Sequence, residues 1–167
     1  MVENATTLIH QIVLYSYVGL VVWAAVNDYR EWTIPNRICI ALVGLYPAYV
    51  LSSPEQVHWV AALVVAEAVF VVGLGLFVFR VMGGGDVKLM AAVALWAGPE
   101  HIFTFLFVTS LAGGALSLLM LPRLLPMRPR AAGTARLAFL GVHVPYGIAV
   151  AAGALLVGGR LIVGATS

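Results

Sequence analysis

The sequence predicts an all-α integral membrane protein with six transmembrane helices and both termini on the outer side of the membrane. Three observations predict it: an apolar composition, a series of apolar stretches, and basic residues confined to alternate loops. The 167 residues are 62% hydrophobic and 10% charged, whereas a soluble domain carries about a quarter charged residues. We therefore expect residues 1–167 to form a single membrane-embedded domain.

Six apolar stretches approach the ~20 residues that a helix needs to cross the hydrocarbon core. The second and fourth stretches are short and would span only with local bilayer thinning or snorkelling of their flanking residues. Proline and glycine clusters separate neighbouring stretches and mark the connections between helices. The stretches are Leu8–Val26, Ile38–Leu51, Val57–Phe79, Val87–Gly98, Ile102–Leu121 and Val144–Val163.

The basic residues give the orientation. With the N-terminus outside, only Arg160 lies in an outer loop, and eight of the nine basic residues lie in cytoplasmic loops, as positive-inside topology requires. Two spans separate Asp28 from Asp86, so both aspartates reach the cytoplasmic face. The eight are Arg30, Arg37, Arg80, Lys88, Arg123, Arg128, Arg130 and Arg136.

Asp86 follows three glycines, Gly83 to Gly85, at the start of the fourth stretch. Such a run allows positive φ angles or the close approach of another chain segment. Alternatively, Asp86 serves only as the N-cap of the fourth helix. Lys88 either holds substrate or a carboxylate by charge pairing, or snorkels to the cytoplasmic surface.

Asp28 lies at the C-terminal end of the first helix, where the helix dipole disfavours a negative charge. Its alternative role is that of a juxtamembrane acid neutralised by Arg30 or Arg37. Pro35 suits the first turn of the second helix.

Two carboxyls that share one water would share one proton and could hydrolyse a peptide bond, one acting as base and the other as acid. Because Asp86 begins a helix and Asp28 ends one, we expect Asp28 to hold the shared proton and Asp86 to activate the water.

Four features follow one another in a recognisable order: Asp28, the segment Ile34-Pro35-Asn36, the run Gly83-x-Gly85-Asp86-x-Lys88 and the segment His143-Val144-Pro145-Tyr146-Gly147. This pattern resembles that of the type IV prepilin peptidases, which are membrane aspartyl proteases of the GxGD type. The similarity is greatest to the short form that serves tight-adherence (Flp-type) pili. By this resemblance Asp28 and Asp86 are the catalytic pair, and site-shaping or substrate-binding roles fall to Gly83, Gly85, Lys88, Pro35 and Asn36.

The resemblance implies a bacterial inner-membrane enzyme that removes the leader of a prepilin or pseudopilin at the cytoplasmic face, with no cofactor. Larger family members also N-methylate the new terminus and carry paired Cys-x-x-Cys motifs. Cys39 is the only cysteine here, so methyltransferase activity is not expected. Pro145 and Gly147 are expected to shape the last helix for packing.

No metal site is expected, because the four histidines are scattered along the chain, and no nucleic acid is expected as a partner. Membrane lipid is expected as a partner, since the arginine-rich segment Pro122–Arg136 would be attracted to anionic headgroups.

Two other functions stay open, a non-catalytic transport or assembly subunit and a GxGD protease of another substrate class. Glu67 lies in the middle of the third stretch, where an ionisable group is a functional candidate. It precedes Asp86 by roughly 28 Å of helix at 1.5 Å per residue, so we expect it to be protonated and bonded to a neighbouring helix.

Overall fold

Apolar runs bounded by proline and glycine fold into five helices in the described part of the chain. The computed structural model describes residues 2–124 and 146–165. Most of the Pro122–Arg136 segment, together with His143, Val144 and Pro145, lies outside the described residues. The helices are α1 (Val2–Glu31), α2 (Asn36–Ser52), α3 (Trp59–Val78), α4 (Gly84–Leu124) and α5 (Tyr146–Gly164).

Helix α4 contains a break at Gly98, whose φ of 56° and ψ of −171° are not helical. Glycine adopts such a conformation without the penalty of a Cβ atom, and Pro99 follows it. The fourth and fifth apolar stretches of the sequence therefore lie in one element, on either side of this break.

The all-α prediction is confirmed for the described residues. Four helical segments are long and apolar enough to cross a membrane, while α2 is a shorter apolar helix. Six transmembrane spans and their orientation stay a prediction. The four segments are Thr6–Glu31, Trp59–Val78, Gly84–Met120 and Tyr146–Gly164.

Helix α3 and the part of α4 before the break at Gly98 run antiparallel. A Cβ atom on Gly73 would lie 2.9 Å from Val87, near the connection between the two helices, and one on Gly98 would lie 3.8 Å from Ala62 at their far ends. Small residues allow helix backbones to approach closely, which is the usual way that helices associate in lipid.

Helix α5 lies antiparallel to α1. The Tyr17 hydroxyl donates a hydrogen bond of 3.1 Å to the Ala154 carbonyl, and a Cβ atom on Gly158 would lie 3.0 Å from the Tyr17 ring. The N-terminus of α5 therefore meets the C-terminal end of α1.

An aromatic cluster joins α1, α2 and α4 inside the bundle. The Trp96 ring lies 4.5 Å from that of Tyr17, 5.7 Å from that of Tyr46 and 5.2 Å from that of Tyr49, measured between centroids. Trp96 Nε1 donates a hydrogen bond of 3.0 Å to the Leu42 carbonyl. Aromatic pairs contribute about 0.5–1.5 kcal/mol beyond the area they bury, so this cluster fixes the relative positions of three helices.

The outer surface is apolar. Phe103, Leu119 and Leu51 are 80%, 74% and 84% exposed, and they are examples of many large hydrophobic side chains that face outward. A water-soluble protein rarely presents so much contiguous apolar surface. This surface is suited to contact with lipid.

Helices α1 and α3 are each followed, within two residues, by a non-glycine residue with positive φ. These are Trp32, with a φ of 54°, and Arg80, with a φ of 58°. After α3, the Arg80 N–H donates to the Phe77 carbonyl and the Val81 N–H to the Leu76 carbonyl. That pair of bonds forms a Schellman cap, in which the left-handed position is usually glycine.

Candidate functional site

Ends of all five helices come together at one end of the bundle, which we call the site end. It includes the C-terminal ends of α1 and α3 and the N-terminal ends of α2, α4 and α5. Asp28 lies in the last turn of α1 and Asp86 in the first turn of α4. Both sequence-predicted aspartates therefore lie at this end.

Asp28 is buried, with only 5% of its surface exposed, and it faces the N-terminus of α5. The Ile148 N–H donates a hydrogen bond of 3.2 Å to Asp28 Oδ2. A Cβ atom on Gly147 would lie 2.6 Å from Oδ2, 2.7 Å from Cγ and 2.9 Å from Cβ of Asp28. Only glycine at position 147 leaves room for this carboxyl.

The expected shaping role of Gly147 therefore takes a specific form, because the residue makes space for Asp28. Sequence reasoning did not identify it as a site residue. The Pro145-Tyr146-Gly147 segment was the available signal, but nothing in the linear sequence says which residue packs on that glycine.

The alternative in which Arg30 or Arg37 neutralises Asp28 is wrong for this structure. Among the described residues, neither arginine forms an ion pair with the Asp28 carboxyl, whose polar contact comes from the α5 backbone. The N-terminus of α5, which carries partial positive charge, also faces Asp28. It acts against the C-terminus of α1, on which the expected location of the shared proton at Asp28 depends.

Asp86 is half-buried and lies in the first turn of α4, which begins at Gly84. It is therefore not the N-cap of that helix, contrary to the alternative considered from the sequence. A Cβ atom on Gly83 would lie 2.8 Å from Asp86 Oδ2, so the carboxyl folds back over Gly83. Each of the two aspartate carboxyls thus lies directly against a glycine.

The glycine run serves close approach and not positive φ. In the described residues, Gly98 is the glycine with positive φ, so that part of the prediction for Gly83 to Gly85 is wrong. A Cβ atom on Gly84 would lie 3.2 Å from the Phe77 ring, and one on Gly85 would lie 3.3 Å from the Ile34 Cβ atom. The run therefore brings the start of α4 against the end of α3 and against the connection between α1 and α2.

Lys88 and Asn36 join the first turns of α4 and α2. Lys88 Nζ donates a hydrogen bond of 3.0 Å to Asn36 Oδ1, a contact that neither proposed role of Lys88 included.

Pro35 precedes α2 as its N-cap, with a φ of −61° and a ψ of 134°. It lies outside the first turn, which corrects the sequence prediction, and its carbonyl accepts a 3.1 Å hydrogen bond from the Ile38 N–H.

Glu67 differs from its expectation in two ways. It is exposed, and within the described residues its carboxyl has no hydrogen bond or ion pair with a neighbouring helix. The expected separation of Glu67 from Asp86 was a length along the chain, whereas α3 and the first part of α4 fold back on each other and bring the two residues closer in space. Glu67 and Lys88 consequently line the same cavity, of about 720 Å³.

Comparison with known proteins identifies the family of this chain. The model of the type IV leader peptidase family matches residues 15–118, a range that includes both aspartates. The chain is 30% identical, over 145 residues, to a prepilin leader peptidase/N-methyltransferase of Bacillus subtilis (strain 168). That alignment covers 84% of this chain and 52% of the relative, so the chain spans about half the length of that protein. No solved structure matches the chain. The family match covers well over half of the residues, and the chain belongs to the type IV leader peptidase family.

Proposed function

We propose that this chain is a membrane aspartyl endopeptidase that removes the short leader from type IV, Flp-like prepilins or pseudopilins at the cytoplasmic membrane face. One observation carries the proposal: Asp28 and Asp86 come from distant parts of the chain to the same end of the helices, each against a glycine that admits its carboxyl. The family match over both residues supports it.

The chemistry follows from two carboxyls that share one water. The ionised carboxylate takes a proton from the water as the water oxygen attacks the scissile carbonyl carbon. The protonated carboxyl gives its proton to the carbonyl oxygen. As the carbon–nitrogen bond breaks, the leaving nitrogen takes the proton that the first carboxyl removed from the water, and the second carboxyl recovers its own as the carbonyl forms again. No covalent intermediate forms.

The burial of Asp28 suits this task. A buried carboxyl with a fixed backbone donor, the Ile148 N–H, keeps its orientation through the reaction. The more accessible Asp86 would face the incoming chain. Lys88 and Asn36, linked to each other, would shape the entry to the site.

The proposed topology is six spans with both termini outside, supported by the basic residues. Arg30, Arg37, Arg80 and Lys88 all lie at or beside the site end. Since basic residues remain cytoplasmic during insertion, this end would face the cytoplasm of a bacterium. N-methylation of the product is not expected, and sequencing the mature terminus by mass spectrometry would detect it.

The decisive experiment is co-expression with candidate prepilins, with cleavage followed by a mobility shift. Asp28→Asn and Asp86→Asn should each abolish the shift and leave membrane insertion intact. Glu31→Gln, which removes an exposed acid three residues from Asp28, is the matched control and should cleave normally. If either asparagine variant cleaved at near the wild-type rate, the pair would not be catalytic.

A further inference from the structure

Trp32 and Arg80 follow α1 and α3 at the site end, and both have a backbone conformation that favours glycine. Their φ angles are 54° and 58°. The Trp32 N–H donates a hydrogen bond of 3.1 Å to the Asp28 carbonyl, and Arg80 fills the left-handed position of the α3 cap. A Cβ atom is unfavourable in this conformation. A bulky residue that is held there indicates a function for its side chain.

Packing within the bundle does not explain either side chain. Trp32 is 49% exposed, and Arg80 is exposed as well. Among the described residues, no hydrogen bond or ion pair involves the Trp32 indole or the Arg80 guanidinium. The function of both side chains therefore lies at the outer surface of the bundle.

The residues beside Trp32 and Arg80 indicate what this surface contacts. Exposed apolar side chains of α3, ending with Phe79 at 76% exposure, lead directly to Arg80. In the last turn of α1, the exposed Tyr29 precedes Trp32. Tyrosine and tryptophan concentrate at the boundary between membrane and water, and arginine extends its charge from an apolar surface towards water. Both positions therefore fit the headgroup layer of a membrane.

Trp32 and Arg80 lie at similar heights above the two aspartates. Gly73 of α3 packs against the residue that follows Asp86, so Arg80 lies about six residues beyond the level of Asp86, or roughly 9 Å at 1.5 Å per residue. Trp32 follows Asp28 by four residues, or roughly 6 Å. Two helices thus carry a residue of the boundary type to the same layer.

The charge of this surface favours an anionic lipid. Four basic side chains at the site end are exposed, whereas Glu31 is the exposed acid among the described residues there. Basic groups next to apolar helix ends attract anionic headgroups. The four are Arg30, Arg37, Arg80 and Lys88.

We propose that Trp32 and Arg80 anchor the site end in the headgroup layer of the membrane, where the Arg80 guanidinium binds the phosphate of an anionic phospholipid. A guanidinium pairs with two phosphate oxygens at once, and an indole places its ring in the apolar region with its N–H among the headgroups. Because the anchors follow different helices, together they set both the height and the tilt of the site end. The proposal does not depend on the proposed peptidase function.

Lipid selectivity tests the role of Arg80. In a Cys39→Ser background, a fluorophore is attached at Val81→Cys, which is exposed beside Arg80. The protein is reconstituted in phosphatidylcholine vesicles with brominated phosphatidylglycerol or brominated phosphatidylcholine as the quencher. Arg80→Gly should lower the preference for phosphatidylglycerol about fivefold, the effect of one basic group near the surface. Arg80→Lys keeps the charge and should keep most of the preference.

Arg37→Gln is the matched control for charge. Arg37 is an exposed arginine in the first turn of α2 at the same end of the bundle, and its φ is not positive. The variant should leave the preference at Val81→Cys nearly unchanged. A loss as large as that in Arg80→Gly would refute the proposal, because it would show a general attraction of charge.

Bilayer thickness tests the role of Trp32. A nitroxide at Thr33→Cys, beside Trp32, reports its depth through its relative exposure to oxygen, which enters lipid, and to a water-soluble nickel chelate. An anchored site end should keep the same depth below the headgroups in short-chain and long-chain vesicles, whereas in Trp32→Ala the depth should change with chain length. Trp23→Ala removes an exposed indole roughly 13 Å further along α1 and should behave like the wild type.

Glycine variants test whether the two positions are strained. In detergent, Arg80→Gly and Trp32→Gly should each melt about 2–4 °C above the corresponding alanine variant. In vesicles, the same glycine variants should lose the lipid preference and the constant depth. Glycine variants that melted at or below the alanine variants would refute the argument that these side chains are held against strain.

Two further outcomes would overturn the proposal. Equal lipid preference in the wild type and Arg80→Gly would exclude the phosphate contact. A Trp32→Ala protein that kept a constant depth but lost prepilin cleavage would make Trp32 a substrate contact instead. The lipid measurements do not involve cleavage, so a chain that cleaves no prepilin would refute the proposed function and leave this inference standing.

Discussion

Gly147→Ala is the substitution whose effect the structure defines most sharply. The added methyl carbon would lie 2.6 Å from Asp28 Oδ2, 2.7 Å from its Cγ and 2.9 Å from its Cβ. Ordinary contact begins at 3.4 Å. Rotating the carboxyl does not relieve the contact with Cβ, which is fixed to the α1 backbone, so α1 and α5 have to separate.

The required movement is about 0.5 Å at Cβ and about 0.8 Å at the carboxyl oxygen, from the difference between these distances and ordinary contact. The hydrogen bond from the Ile148 N–H, now 3.2 Å long, weakens as the helices separate. A misplacement near 1 Å costs about 100-fold in rate, which corresponds to about 2.7 kcal/mol in the barrier. We therefore expect kcat for prepilin cleavage to fall by about two orders of magnitude.

The assay is cleavage of a prepilin by purified protein in detergent, with thermal unfolding measured on the same samples. Gly159→Ala, on the same helix, is the control, because a Cβ atom at Gly159 would meet no atom within 4 Å. It should leave the rate unchanged and should not lower the melting temperature. A Gly147→Ala protein that is folded and cleaves at the wild-type rate would refute the proposed position of Asp28 against α5.

Three further predictions follow from other contacts. Gly83→Ala should displace the Asp86 carboxyl, which lies 2.8 Å from the new methyl carbon, and should lower kcat by at least about tenfold; unchanged kinetics would mean that Asp86 reorients freely. Arg80→Gly should be more stable to thermal unfolding than Arg80→Ala by about 1 kcal/mol. Both variants remove the charge, but only glycine adopts the positive φ at this position without a steric penalty. Equal melting temperatures would contradict this. In a Cys39→Ser background, an impermeant thiol reagent applied to intact cells should label Ser53→Cys and not Thr33→Cys; the reverse pattern would invert the proposed orientation.

The sequence alone determined the helical class and the two aspartates that we propose as the catalytic pair. Apolar runs of membrane-spanning length leave the backbone few alternatives to helix in lipid, so the described parts of all six predicted stretches fall mostly in helices, the exceptions being Val57, His58 and Phe79 at the ends of the third. Asp28 and Asp86 were identifiable because carboxyls at the ends of apolar segments are costly without a function. Counting spans then placed both aspartates at the same end.

Only the tertiary structure decided what surrounds each carboxyl. Gly147 is distant from Asp28 in sequence, and the space that it leaves exists only when α5 packs on α1. The dipole of α5 acts on Asp28 for the same reason, and a linear sequence shows a residue's own helix and not the helix end that faces it. The distance from Glu67 to the site was overestimated because contour length along a chain ignores a hairpin. Pairwise packing of helices depends on which small residues meet across an interface, and that information is not contained in the periodicity of any one segment.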